Sequence, residues 1–181
     1  VEYGYKLYDK LYPASTTKLM TAYLAFKYGN MDDIVTVSDS VSSFASDEVV
    51  CNLRPGDTVT LYDLLCGLLL RSGNDCGVAI AEHISGSVEA FAELMNSEAK
   101  ALGATGSHFV NPHGLHNENH YTTAYDLYLI FNEAIKYDSF NEIIHMTSYQ
   151  TAYYDKDGKA KELTVNNTNR FLRGDFQAPE N

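Results

Sequence analysis

Pro13-Ala14-Ser15 opens a helix that runs to about Tyr28 and is closed by Gly29-Asn30. Its first turn carries Ser15-Thr16-Thr17-Lys18. Residues three apart share a helix face, so the Lys18 ammonium can sit beside the Ser15 hydroxyl. The pairing matters because a serine hydroxyl is a weak nucleophile until a neighbour takes its proton. A lysine does so only where burial or nearby positive charge lowers its pKa. The helix N-terminus adds a partial positive charge beneath any anion forming there. Taken alone, the same four residues also describe an N-capping serine followed by a solvated lysine.

A second polar string, Ser72-Gly73-Asn74, breaks the chain between two apolar helical stretches. The first starts at Thr60-Leu61-Tyr62-Asp63, where hydroxyl and carboxylate can satisfy free amides at a helix start, and continues to about Leu70. The second runs from about Asp75 to His83. A hydroxyl and a carboxamide on one tight loop can do two jobs: Ser72 can relay a proton to a leaving amine, and Asn74 can hold a substrate amide. The competing reading is a helix connector whose Asn and Gly serve turn geometry.

The rest of the chain alternates helices with short extended pieces. Strands are expected at Tyr3–Tyr8 and Ile34–Val37, and residues 38–56 are polar and irregular with a turn at Pro55-Gly56. An amphipathic helix should cover Ser87–Leu102 and stop at Gly103. Residues 104–122 read as a long loop around Asn111-Pro112-His113-Gly114. A helix should start at Thr123 and reach about Lys136, with a short one starting at Ser139. Thr147–Tyr154 and Glu162–Val165 flank Asp157-Gly158 as a hairpin. Asn166 to Asn181 is polar and unpatterned.

The 181 residues suit one domain with a real core, since 45% are hydrophobic and 20% charged. The net charge of −11 argues against nucleic acid, which needs a basic footprint, and against anionic lipid. No apolar run approaches the ~20 residues that span a bilayer. The chain opens on Val-Glu-Tyr-Gly-Tyr with no visible signal peptide, so in an exported parent the signal is expected to have been removed or to lie outside this sequence. Cys51, Cys66 and Cys76 match no metal spacing and read as small buried apolar side chains, with a Cys66–Cys76 bridge left open. His108, His113, His116 and His120 crowd one loop, but without the spacing or partners of a ligand set, and no metal site is expected.

Together and in this order, the two motifs resemble the S-x-x-K and S-x-N elements of penicillin-binding proteins and class A β-lactamases. The likeness extends beyond them. Tyr12-Pro-Ala-Ser-Thr-Thr-Lys-Leu-Met-Thr-Ala22 resembles the signature of the low-molecular-mass serine D-Ala-D-Ala carboxypeptidases. So do Leu64-Leu65 through Asp75, Met95-Asn96 with Leu102-Gly103, and Phe109-Val-Asn-Pro-His-Gly-Leu115. His120-Tyr-Thr-Thr-Ala124 with Asp126-Leu127, and Asn167-Thr-Asn169, complete a similarity running from about Tyr5 to Leu172.

The resemblance implies that Ser15 is the acylated nucleophile, Lys18 the general base, Ser72 a proton relay and Asn74 a substrate-orienting amide. The Ser15 backbone amide would supply one oxyanion donor. It implies removal of the terminal D-alanine from peptidoglycan stem peptides, covalent inhibition by β-lactams, no cofactor, and work outside the cytoplasmic membrane, with membrane association only through a C-terminal anchor. Two alternatives stand beside it. A class A β-lactamase needs a deacylating glutamate in an E-x-x-L-N context after the second motif, a pattern Glu93-Leu94-Met95-Asn96 lacks. A non-catalytic cell-wall binding module would bind peptidoglycan without an adduct.

One element of the family pattern is missing: no Lys-Thr-Gly or close variant follows Asn74, so the sequence reads as truncated before that motif. These 181 residues by themselves are expected to be catalytically crippled unless complemented. The expected fold is mixed α/β (α+β), of the β-lactamase/penicillin-binding-protein kind, as one incomplete peptidase domain over residues 1–181. A mostly helical subdomain (38–140) would be inserted into a sheet-containing subdomain (1–37 and 141–181) whose antiparallel sheet is incomplete.

Overall fold

Helix α1 (Thr17–Tyr28) forms the centre of the computed structural model, which describes residues 6–168. Its buried residues include Met20, Ala22, Leu24 and Phe26 on different faces, so it is covered nearly all round, as a core helix must be. The covering comes from α3 (Asn74–Ser85), α4 (Val88–Ala101) and α5 (Ala124–Ala134), all of which pack on α1. Leu64, Leu65, Leu68, Ile80, Phe91, Met95 and Ile130 fill the space between, each at most 1% exposed. Full burial of such a side chain contributes ~1.5–3 kcal/mol.

The helix starts follow from their caps. Thr60 accepts from the Asp63 amide before α2 (Leu61–Cys66), Ser87 from Ala90 before α4, and Thr123 from Asp126 before α5. A short α6 (Asp138–Ile144) buries Phe140 and Ile143.

Among the described residues four antiparallel strands, β1 (Ile34–Thr36), β2 (Thr58–Thr60), β3 (Ser148–Tyr154) and β4 (Ala160–Asn166), lie in sequence order across one sheet. Val35 pairs with Val59, Thr58 with Tyr154, and Thr151 with Leu163. Val35, Val59, Tyr153, Leu163 and Val165 are buried while their sequence neighbours are more exposed, the period-two pattern of a sheet with one covered face. The mixed helix–sheet fold is the one expected.

Several details differ from the sequence reading. The strand β2 is only three residues long, too short to show an alternation of its own. It falls inside 38–140, so the sheet draws strands from both stretches into which the sequence was divided. Residues 6–8 form a turn where the strand Tyr3–Tyr8 was expected, and residues 1–5 lie outside the described part. The helix through Leu70 is real but changes character: after Cys66 it widens into a π turn, Gly67–Arg71. Of the polar end, residues from 169 onward, with Asn169, lie outside the described part. Among the described residues no helix is long and apolar enough to cross a membrane.

Candidate active site

A tight 3-10 turn, Ala14–Thr16, leads into α1. Thr16 locks it twice, its hydroxyl and its amide (3.0 Å) both donating to the Pro13 carbonyl. Ala14 is held at φ 47°, a left-handed conformation that a residue with a Cβ rarely adopts. Ser15 is exposed at the mouth of the helix, whereas Lys18, one turn on, is only 5% exposed.

The second motif is delivered by the π turn. Widening the helix by one residue brings Ser72 out at φ 64°, also left-handed, and turns its side chain back towards α1. The Ser72 hydroxyl lies 3.3 Å from the Ser15 Oγ. Lys18 Nζ donates to Asn74 Oδ1 at 2.9 Å, so the first and second motifs touch at two points. Strained non-glycine backbone on both sides of one cleft is the kind of cost that functional sites carry.

The Ser72 loop is held from behind by residues 49–53. The Asn74 amide donates to the Val49 carbonyl (2.8 Å) and Arg71 Nε to the Val50 carbonyl (2.9 Å). The Asp75 carboxylate, 1% exposed, accepts from the amides of Cys51 (2.8 Å), Leu53 (3.0 Å) and Cys76 (3.0 Å). Buried carboxylates require such donors.

The loop after α4 closes the opposite side. Asn96 clamps Phe109, donating to its carbonyl (2.9 Å) and accepting from its amide (2.7 Å). The loop then presents carbonyls to α1: Lys18 Nζ donates to His113 O (2.7 Å) and the Thr21 hydroxyl to Pro112 O (2.6 Å). His120 Nδ1 accepts from the Val110 amide (2.9 Å), which leaves Nε2 as the protonated nitrogen facing Thr17 Oγ at 2.7 Å.

Burial lowers the Lys18 pKa from its usual 10.5 to about 8, partly opposed by the Cys76 thiol nearby. Burial is also the main reason that the His113 imidazole is held at about 4, with the Lys18 charge and then His120 adding to it. His120 is likewise held at about 4, by burial and then by His108. A lysine near 8 is about one-tenth neutral at pH 7, against roughly 3 in 10,000 at its ordinary value.

Two adjoining clefts, of about 340 and 360 Å³, share Ser15, Lys18 and Ser72 in their walls. One is completed by Leu68, Leu69, Phe140, Ile144 and Thr168, the other by Asn74, Glu48, His113 and His116 among others. The structure therefore brings Ser15, Lys18, Ser72 and Asn74 together, although Ser15 and Asn74 are far apart in sequence. The reading by motif missed the His113 carbonyl, because a backbone acceptor leaves no side-chain signature. The four histidines do not converge: His113 Nδ1 accepts from the Leu115 amide (3.2 Å), His120 is spent on the contacts above, and His108 bonds the Asn119 carbonyl.

This is the fold of the penicillin-binding proteins. The K15 DD-transpeptidase of Streptomyces superposes with a TM-score of 0.85 at 31% identity, covering 92% of this chain and 68% of that one. A penicillin-binding protein homologue from Mycobacterium tuberculosis gives 0.79 at 29% identity, covering 91% and 60%. The chain belongs to the D-alanyl-D-alanine carboxypeptidase family, whose sequence model matches residues 3–177. It is 38% identical to the D-alanyl-D-alanine carboxypeptidase DacF of Bacillus subtilis over 172 residues, 91% of this chain and 42% of that one. With DacC of Escherichia coli it is 35% identical over 178 residues, 91% and 41% respectively. The chain thus spans about two fifths of the length of these two relatives.

Proposed function

We propose that the protein is a serine D-Ala-D-Ala carboxypeptidase that releases the terminal D-alanine of peptidoglycan stem peptides, outside the cytoplasmic membrane, through an acyl-Ser15 intermediate. The observation that carries the reading is the meeting of Ser15, Lys18, Ser72 and Asn74 in one cleft, with Lys18 bonded to Asn74 and Ser72 in reach of Ser15. Neutral Lys18 takes the Ser15 proton as Oγ attacks the scissile carbonyl. Ser72 passes a proton to the departing amine of D-alanine, and water then hydrolyses the ester. The lowered Lys18 pKa raises the neutral fraction at pH 7 roughly 300-fold over an unperturbed lysine. Asn74 holds the Lys18 ammonium between turnovers and orients the substrate amide.

A β-lactam presents a strained amide to the same nucleophile, so a fluorescent penicillin is the direct test. Covalent labelling that Ser15→Ala abolishes is the expected result. Labelling that survives Ser15→Ala refutes the assignment. A short-lived adduct with rapid penicillin turnover would favour a β-lactamase, and peptidoglycan binding without any adduct a non-catalytic module.

A further inference from the structure

Behind the Ser72 loop lies a second group of reactive side chains that the acyl-transfer reading does not use. The Cys51 and Cys76 sulfurs and an Asp75 carboxylate oxygen lie within 4.8 Å of one another. Cys51 is 7% exposed and Cys76 fully buried. The space they share is left by two glycines: a Cβ at Gly67 would come within 2.6 Å of Cys76 Sγ and 3.0 Å of Cys51 Sγ, and one at Gly73 within 2.7 Å of Cys51 Sγ. Gly67 begins the π turn and Gly73 is the middle residue of the second motif, so the two sulfurs sit beneath the backbone that carries Ser72 and Asn74.

We propose that Cys51 and Cys76 form a dithiol modification site that closes to a disulfide when a small disulfide oxidant is present, pinning residues 49–51 to the Ser72-Gly73-Asn74 loop. Three observations support it. The two sulfurs face each other within 4.8 Å, and the neighbouring Cys51 thiol together with burial pushes Cys76 well above the ordinary thiol range. The segments that would be joined already run together through the contacts of Asn74 with Val49, Arg71 with Val50 and Asp75 with Cys51, so closure needs little backbone movement. And the Asp75 oxygens are occupied by three backbone amides, which leaves two thiols and no free carboxylate for a metal. The pairing differs from the Cys66–Cys76 bridge that sequence left open. All three cysteines are free thiols here, and Cys66 lies apart, by Asp63 and Glu142.

The chemistry balances as two exchange steps. The Cys51 thiolate, on the more accessible side, attacks a sulfur of the oxidant RSSR and releases one RS⁻. Cys76 then attacks the mixed disulfide at Cys51 and releases the second. The two thiol protons end on the two RSH molecules, and the electron pair has passed from the dithiol to the oxidant. Each step consumes a thiolate, and Cys76 must ionise against burial, so the reaction should be slow at neutral pH and faster in mild base.

The folded protein is incubated with hydroxyethyl disulfide at about pH 8.5, then denatured, alkylated and mapped by mass spectrometry. The expected product has lost two hydrogens, carries a linked Cys51–Cys76 peptide, and is alkylated at Cys66 alone. It should also unfold at higher urea than the reduced form, while Cys51→Ser should return Cys76 to the alkylated fraction. Full alkylation of all three cysteines, a persistent mixed disulfide, a bridge containing Cys66, or an oxidised form less resistant to urea would each overturn the proposal. None of these readouts depends on carboxypeptidase activity.

Discussion

Replacing Gly114 by alanine tests whether the loop after α4 sets the position of the candidate nucleophile. Gly114 has φ +89°, and a Cβ there would stand 1.8 Å from the Ala14 carbonyl oxygen, 2.4 Å from its carbon and 3.0 Å from Thr17 Oγ. Two costs combine. An L-residue in the left-handed region loses ~1–2 kcal/mol, and forcing a methyl against unyielding backbone costs ~1–3 kcal/mol more. The sum, ~2–5 kcal/mol, is a large part of an ordinary domain's stability. Gly103→Ala separates the two, because Gly103 has φ +83° with nothing within 4 Å and should show the conformational cost alone. Urea unfolding of both variants supplies the difference. Relief of the clash must move Ala14, and hence Ser15, by something like 1 Å, a misplacement that can cost about 100-fold in rate. Penicillin labelling of the folded fraction should therefore slow sharply in Gly114→Ala and not in Gly103→Ala. Equal stability of the two variants, within about 0.5 kcal/mol, would refute the claim that this close approach fixes the Ser15 turn.

The Lys18 pKa of about 8, against 10.5 in an unfolded chain, makes a pH-dependent prediction. Between those values the unfolded chain holds a proton that the folded one has lost, so stability from this site rises with pH, by up to ~3 kcal/mol, and is absent below about pH 8. Relative to Lys18→Met, in which the site does not titrate, wild type should gain ~2–3 kcal/mol in urea unfolding between pH 7 and pH 10, and a constant difference would refute the shift. Asn96→Ala removes both hydrogen bonds to Phe109 and strands two backbone groups, at ~1–3 kcal/mol each. A loss under about 0.5 kcal/mol in the same assay would show that the clamp is dispensable.

What the sequence made legible follows from how local each signal is. Helix caps at Thr60, Ser87 and Thr123 act within three residues, and all three are where the expected helices begin. The hairpin flanking Asp157-Gly158 was equally local. The pairing of β2 with β1 and β3 was not legible, since Thr58-Val59-Thr60 is too short for a period and its partner Tyr154 lies far along the chain. The π turn after Cys66 was hidden for a related reason. Gly67 reads as a weak point in a helix, and only the two sulfurs packed against it explain why a side chain is excluded there. Ser15, Lys18, Ser72 and Asn74 were recognisable as side chains in motifs. Their mutual distances were not.

Those distances are set by the two stretches with the least pattern in the sequence, 38–56 and 104–122. The first supplies Val49 O and Val50 O to the Ser72 loop, and the second supplies Pro112 O and His113 O to the first turns of α1. All four are backbone acceptors, and a carbonyl depends on the path of the chain and hardly at all on the side chain beside it. The Lys18 ammonium is thus placed by a side chain, Asn74, on one hand and by a peptide group on the other. It follows that replacing the His113 imidazole leaves the Lys18 contact to its carbonyl intact as long as Gly114 keeps its left-handed turn. A methyl at 114 disturbs Ala14 and that carbonyl together. Sensitivity concentrated at a residue with no side chain, adjoining a histidine that looks like the chemical group of the loop, is the signature of a site positioned by backbone.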